Sequence, residues 1–368
     1  MKLKITIFIT NLLSYILVPF ALLRRKKDSV LHISYMVHIA YFTVKILREN
    51  GVKADYLAIG HPGKWQADYI FAPSYGHLSA KERIREFMFF WKVVARYRVI
   101  HSHFMMTLTP SAWEMKFFRM LGGKWVVHGR GCAERVKEVN IKLHPKMNIC
   151  QQCDYNARIC TDPVNVMRRK MTAEYADHVL VTTPDMLDFI PTAEHMPFFF
   201  PPVDVQENNN SGKKTGPFKI VHVTNHPGIE GTEHIRKAVD NLKGKGYDID
   251  FMFLTNMDNS EVLEVYKTAD LSIGKMKMGY YANAQIESLY VGVPAITYVR
   301  EEFVTPEIER SGLILAHLDN LEEVIRFYID NPDKLKEKRD IAKRSVIELH
   351  NNTRIAQRYK EIYLNLLN

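Results

Sequence analysis

Three places in this sequence hold residues whose types and spacing suit chemistry. The first is the run 269–298, ADLSIGKMKMGYYANAQIESLYVGVPAITY. A glycine-punctuated, basic and aromatic loop, Gly274 to Tyr281, lies between a short apolar run, Leu271 to Ile273, and a helix-like segment, Ala282 to Tyr290. A helix opening behind such a loop aims its free backbone N–H groups and its positive dipole end at whatever the loop holds, which suits a phosphate. Lys275 and Lys277 supply cations there, each hydrogen bond to a charged group being worth about 1.5–3 kcal/mol. The same two lysines also read as a solvated loop face. Glu287, a turn or so into the helix, is unsuited to a phosphate but can accept hydrogen bonds from hydroxyls, such as those of a ribose.

The second place is the turn His128-Gly129-Arg130-Gly131, which follows a predicted strand from Lys124. Glycines beside a strand's carboxyl end let the backbone approach a ligand. His128 then reads as a ligand contact or proton relay, or as a histidine that satisfies loop backbone groups. His38, in an earlier strand-to-helix loop, has the same two readings. His101 and His103, a pair at another strand end, read as packing.

The third place is Cys150-x2-Cys153-x6-Cys160, with Cys132 upstream. A C-x2-C turn presents two thiolates to one metal. A structural zinc with a fourth ligand from Cys132, His144, Asp154 or a distant side chain is one reading. Buried or disulfide-paired cysteines and an iron–sulfur cluster are the others. Four cysteines in 368 residues are too few for a disulfide scaffold.

The elements that must position these residues alternate strand and helix. The chain is long enough for two domains. Val30 to Ile33, Val52 to Ile59, Arg98 to His103, Lys124 to His128 and His178 to Val181 read as strands. Helices are expected up to Arg48, over Phe87 to Tyr97, over Ser111 to Leu121 and over Arg168 to Ala176, with Thr183 capping another. Residues 205–216, VQENNNSGKKTG, read as a linker. Beyond it, Phe218 to Val223, Asp250 to Leu254, Leu271 to Ile273, Ala295 to Tyr298 and Leu313 to Ala316 read as strands of a second α/β unit. The expected organisation is an apolar segment 1–27, a first Rossmann-like domain 28–204 with a cysteine insert at 132–163, a second domain 217–350, and a terminal helix 351–368.

Residues 5–23 carry no charge, and RRKK follows at 24–27. Nineteen residues at about 1.5 Å rise just cross a hydrocarbon core of about 30 Å. The basic cluster after the apolar run, with no small-residue cleavage site, argues against a cleaved signal peptide. A spanning helix with the bulk of the chain in the cytoplasm, an interfacial anchor, and a buried first element of the fold all stand as readings. The net charge of +9 points to anionic partners. The basic residues form no long arm with interleaved aromatics, which argues against nucleic acid.

Taken together, the opening SYMVHIAYFTVKILRENGVKADYL, the VVHGRG turn, YADHVLVTTPDML, the PPVD hinge, IVHVTNHPGIEGTEHIRKAV and the 269–298 run resemble a GT-B glycosyltransferase. They are most similar to the retaining, nucleotide-sugar-dependent family 4 enzymes. The resemblance covers most of the chain after residue 28. It implies two Rossmann-like domains facing a cleft, with the donor nucleotide on the second, the acceptor mostly on the first, and a last helix crossing back. It implies no metal for transfer. Glu287 matches the second glutamate of the family's E-x7-E motif, which binds the donor ribose, whereas the first glutamate's place holds Gly279. The resemblance gives backbone amides around Tyr280 to Asn283 a phosphate, and puts His128 near the donor sugar. It departs from the family at Asn225-His226 and Glu230, where an arginine and a lysine are usual. That loss of cations turns attention to Lys275 and Lys277. Tyr35 and His38 stand where the family's first loop is glycine-rich, and are assigned to the acceptor side. The expected activity is sugar transfer to a glycan or lipid-linked polysaccharide precursor at the cytoplasmic face of a membrane. A GT-B-like scaffold without turnover and a nucleotide-sugar epimerase are the competing expectations.

Overall fold

The protein is described here from a computed structural model covering residues 2–24, 26–35, 37–73, 78–155, 159–200 and 216–368. The PPVD hinge and the linker read at 205–216, apart from Gly216, lie outside the described residues.

The chain opens with helix α1 (Lys2–Leu22) and then alternates. The first unit runs β1 (Val30–Ser34), α2 (Val37–Glu49), β2 (Ala54–Ile59), β3 (Tyr69–Phe71), α3 (Ala80–Lys92), β4 (Val99–His103), α4 (Trp113–Met120), β5 (Lys124–Gly129), α5 (Lys137–Leu143), α6 (Pro163–Tyr175), β6 (His178–Val181) and β7 (Glu194–His195). The second runs β8 (Phe218–Val223), α7 (Pro227–Glu230), α8 (Thr232–Gly244), β9 (Ile249–Leu254), α9 (Asn259–Thr268), β10 (Leu271–Ile273), α10 (Asn283–Tyr290), β11 (Ala295–Thr297), α11 (Pro306–Glu309), β12 (Leu313–Leu315), α12 (Leu321–Asp330) and α13 (Pro332–Leu349). Helix α14 (Asn352–Leu367) closes the chain.

Both sheets are parallel throughout. The first has seven strands in the order β3-β2-β1-β4-β5-β6-β7, and the second has five in the order β12-β11-β10-β8-β9. Each is a doubly wound Rossmann-like arrangement, with strand order reversing between β1 and β4 in one and between β8 and β10 in the other. The central strands β1 and β4 are buried at every residue, as in a parallel sheet covered on both faces. The short edge strands β3 and β7 escape a sequence reading because neither has room for a repeat. The helix expected over Phe87 to Tyr97 starts earlier, at Ala80. There Ser79 and Glu82 form a reciprocal capping box, and the helix gives way to a 3-10 turn at Val94–Arg96.

Helix α14 leaves the second unit and packs on the first sheet. Its buried face, Ile355, Ala356, Tyr359, Ile362 and Tyr363, shares a core with Val30, Tyr56, Val126 and Leu180. Burying each such apolar side chain is worth about 1.5–3 kcal/mol. The crossing point is pinned by Asn352, whose amide brackets Phe200: Phe200 N–H donates to its oxygen at 3.1 Å and its nitrogen donates to Phe200 C=O at 2.8 Å.

Candidate functional site

In open α/β sheets, ligands bind beyond the carboxyl ends of the strands where the order reverses. Here the carboxyl edges of the two sheets face each other. Arg300, after β11, donates to both oxygens of Asp188, after β6, at 3.1 and 2.8 Å. His195 of β7 meets Tyr280, after β10, edge to face with ring centroids 5.4 Å apart. The cleft between the sheets is thus closed at one end, where β6 and β7 of the first sheet meet the loops after β10 and β11 of the second.

On the second unit's side, the loop after β10 carries Lys275, Lys277, Gly279 and Tyr280 into the cleft, and α10 opens at Asn283 directly behind it. Asn283 is exposed at the helix start. Glu287 sits on α10, half-buried, and its Oε1 accepts a hydrogen bond from Asn259 at 2.7 Å. Burial pushes its carboxyl up to about 7, against the pull of Asn259. The neighbouring loop after β8 brings Asn225 and His226. Asn225 is held to the β9 edge by accepting from the Asn256 backbone N–H at 2.7 Å. The structure thus gathers Lys275, Lys277, Gly279, Tyr280, Asn283, Glu287, Asn225 and His226 at one sheet edge.

The charges at that edge are already committed. Lys275 is paired with the buried carboxylate of Glu230, which also accepts from the Lys275 backbone N–H at 2.9 Å. Lys277 is buried, donates to Gly228 C=O at 3.2 Å and bonds the side chain of Gln152. Gly279 has φ of +86°, and a Cβ there would lie 2.6 Å from Nε of Arg300. The arginine side chain fills the space that a side chain at 279 would need.

The cysteine insert crosses the cleft. It belongs to the long β5–β6 connection, and its Asp154 accepts from the Gly228 backbone N–H at 2.9 Å. Tyr155 stacks on His226 with centroids 4.0 Å apart, and Asp154 lies 3.6 Å from His226 Nδ1. Gly228 is required there: a Cβ would stand 2.0 Å from the Gln152 carbonyl oxygen. All of the cysteines are free thiols. Cys150 is pushed up to about 12 by burial and then by Cys132, offset in part by Arg135, with Cys160 and Cys153 adding to the rise. Among the described residues, however, the ligand atoms that gather within 4.8 Å of one another belong to His32, His101 and His103.

Those histidines, with His128, line the face of the first sheet beneath α14, and all are fully buried. Arg130 has only donors, and this orders the whole layer. Its Nε donates to His103 Nδ1 at 3.0 Å, so His103 must carry its proton on Nε2, which faces His32 Nδ1 at 3.1 Å. His32 then donates from Nε2 to the Tyr363 hydroxyl at 3.3 Å, and Tyr363 donates to His101 Nδ1 at 2.8 Å. The chain ends on His101 Nε2, which has no partner. The three imidazoles could hold a metal ion, but His32 and His101 stack with rings 14° from parallel. Lone pairs of parallel rings do not converge on one point. A hydrogen-bonded neutral chain therefore accounts for their closeness better than chelation does. Burial, then the Arg130 charge, drives His32 down to about 3.

His128 belongs to this layer. Its Nε2 faces Thr182 Oγ1 at 3.1 Å, and its Nδ1 faces Arg130 at 3.2 Å and Tyr359 at 3.0 Å. Both nitrogens are satisfied inside the protein and none of its surface is exposed, so the ring holds the turn in place. Arg130, one residue past Gly129, spans His128 and His103. On the same side, Tyr35 follows β1, half exposed and against Phe104 at 5.3 Å, and His38 is exposed on the first turn of α2.

The sequence reading missed three groups here. Arg300 and Asp188 join the two sheets across the cleft. Glu134 is fully buried, and its Oε1 lacks a partner. Burial pushes its carboxyl up to about 7. None of them lies in a motif, and only the spacing of Glu134 six residues after His128 could have drawn attention.

The chain matches no protein-family model, and no curated protein matches it in sequence. Solved structures do match over nearly its whole length. Sucrose-phosphate synthase from Thermosynechococcus elongatus superposes with a TM-score of 0.58 at 15% identity, covering 93% of this chain and 99% of its own. HepE from Anabaena, in complex with UDP, gives 0.56 at 12%, covering 92% and 100%. A putative UDP-N-acetylglucosamine 2-epimerase from Listeria monocytogenes gives 0.51 at 13%, covering 90% and 95%. At these identities the likeness defines the fold, which is GT-B.

Proposed function

We propose that the protein is a nucleotide-sugar glycosyltransferase. It would move a hexosyl group, with retention of configuration, from a nucleoside-diphosphate donor to a glycan or lipid-linked acceptor at the cytoplasmic face of a membrane. The observation that carries this reading is the placement of Glu287. A half-buried carboxyl stands beside a helix N-terminus and a lysine-bearing loop, at the switch point of the second sheet. Hydroxyls of a ribose suit Glu287, and a diphosphate suits the α10 amides from Asn283 with Lys277. Tyr35 and His38, at the switch point of the first sheet, suit the acceptor. His128 is assigned the holding of the 128–131 turn rather than contact with the sugar, because its ring is sealed. The UDP held by the Anabaena protein of the same fold supports this class of donor. Transfer of this kind needs no metal.

One observation favours a second reading, a GT-B-like subunit that binds a nucleotide sugar without turnover. At the diphosphate place Lys275 is offset by Glu230, and Lys277 by Glu233 and then Asp154 nearby, so neither of these two lysines is a surplus cation for a leaving group. Titration calorimetry with nucleoside diphosphates, followed by turnover assays with a panel of nucleotide sugars, separates the two. Glu287→Ala should weaken nucleotide binding at least tenfold, and unchanged affinity would sink the ribose assignment. Binding without transfer to any acceptor would favour the non-catalytic subunit.

The cysteines are further read as a structural zinc site that draws Cys132, Cys150, Cys153 and Cys160 together, since metal would take up thiolate charge that burial otherwise suppresses. Metal analysis of the purified protein should then find about one zinc per chain, and folded, metal-free protein would remove the site.

A further inference from the structure

Helix α1 is long and apolar enough to cross a membrane, yet its attachment argues for another position. One side is small and polar, with Thr10, Ser14, Val18 and Ala21 buried. That side is fastened to α3 at its middle. Arg83 donates to Thr10 Oγ1 at 3.0 Å and to Asn11 Oδ1 at 2.7 Å, and Trp91 Nε1 donates to Ser14 Oγ at 3.2 Å. Arg83 itself is buried over the face of Trp113, 3.6 Å from its centroid, and 3.8 Å from Glu86. Between Thr10 and Ser14, side-chain bonds thus tie α1 to α3, a helix of the first unit.

The other side is an unbroken apolar stripe. Phe8, Leu12, Ile16, Phe20 and Leu23 are 68%, 50%, 51%, 62% and 86% exposed, and Met88 of α3 continues it at 62%. Around the stripe the exposed charges are all basic: Lys2, Lys4 and Arg24 at the ends of α1, and Lys81, Arg85 and Lys92 along α3. Helix α1 has no acid, and the two acids of α3 are engaged. Glu82 is held by the cap, accepting from Ser79 N–H at 2.7 Å, and Glu86 is buried.

We propose that α1 lies flat in the boundary between headgroups and acyl chains of an anionic membrane, with α3 beside it, and does not cross the bilayer. If α1 crossed, it would carry α3 into the hydrocarbon, at a cost of about 2.5–3.5 kcal/mol for each of Lys81, Arg85 and Lys92 near its centre. Lying flat, each of these cations instead gains about 1 kcal/mol from an acidic lipid surface. A second copy of the same face would bring like charges together, so a lipid surface fits where a homodimer does not. This inference stands on α1 and α3 alone and is independent of the transferase reading.

The test uses the full-length chain, carrying a cleavable N-terminal tag, with preformed sealed vesicles of phosphatidylcholine with or without phosphatidylglycerol. Flotation should recruit the protein to the anionic vesicles and at least tenfold less to the neutral ones. Phe8→Glu with Ile16→Glu should abolish recruitment. Both side chains are exposed, so the circular-dichroism melting curve should be retained, and a collapsed melt is controlled for by Lys81→Gln with Lys92→Gln, which should lower recruitment about tenfold or more. An impermeant protease added outside should remove the tag completely. A protected tag would mean that α1 crosses. Equal recruitment to neutral vesicles, or a stable dimer through this face in place of recruitment, would equally overturn the proposal.

Discussion

The hydroxyl of Tyr359 lies 3.0 Å from Nδ1 of His128, joining the last helix of the chain to the middle of the first sheet. Tyr359→Phe keeps the ring and deletes the hydroxyl's bonds to His128 and to Arg130. The expected cost is about 1–2 kcal/mol, read as a fall in melting temperature of about 2–8 °C, with nucleotide affinity unchanged because Tyr359 touches no part of the β10 loop. A large loss of nucleotide binding would show that His128 acts on the ligand directly.

Acidification should destabilise the protein well above the usual carboxylate range. Burial holds His32, His101, His103, His128 and His350 below the ordinary histidine value. From about pH 6.5 downward the unfolded chain takes up protons that the folded chain refuses, so each of these groups removes about 1.4 kcal/mol per pH unit inside its window. Glu114, Glu134 and Glu287, pushed up to about 7 mainly by burial, act in the opposite direction between about pH 7 and 4.5. The histidines outnumber them. Urea denaturation at pH 7, 6 and 5 should therefore show falling stability, steepening below about pH 4.5 where the carboxyl contribution ends. Nucleotide affinity should rise with pH through about 7, as Glu287 becomes ionised.

Asp154→Ala should tighten binding of a nucleoside diphosphate. The substitution removes a carboxylate that holds Gly228 and lies 3.6 Å from His226. A partly exposed charge of this kind is worth about 0.2–1 kcal/mol, so calorimetry should read a gain of up to about fivefold. A loss of affinity would mean that the insert supports the ligand instead of competing with it.

Gly279→Glu restores a carboxylate in sequence but should destabilise the protein by about 1–3 kcal/mol. The position has φ of +86°, and Arg300 already fills the side-chain space. Activity should fall along with the melting temperature. A rise in turnover would show that the Arg300–Asp188 pair yields easily.

The frame of this protein is legible in its sequence because a doubly wound sheet is written locally. Short apolar runs such as Leu271 to Ile273 and Val30 to Ile33, helix stops such as Gly51, and the βαβ order around Glu287 need no partner to be recognised. The histidine layer is different. Alternation puts His101 and His103 on one face of β4, but their meeting with His32 and His128 depends on β1 and β5 flanking β4, which is set by tertiary strand order. Arg300 is a similar case. It follows β11 in a loop of ordinary composition, and its seat against Gly279 and Asp188 exists only when both sheets are in place. The pairing of Lys275 with Glu230 was equally hidden, since forty-four residues separate them in sequence.

Helix α14 also bears on how the protein is made. The strands carrying His32, His101, His103 and His128 leave the ribosome before the whole second unit, whereas Tyr359 and Tyr363 emerge only after it. Throughout synthesis that side of the first sheet is a bare row of imidazoles and Arg130 facing water, with its apolar margins uncovered. A nascent chain stalled anywhere before Asn352 would present this open face to chaperones and proteases, so the sixteen-residue helix α14 seals the first unit only once the second has been made.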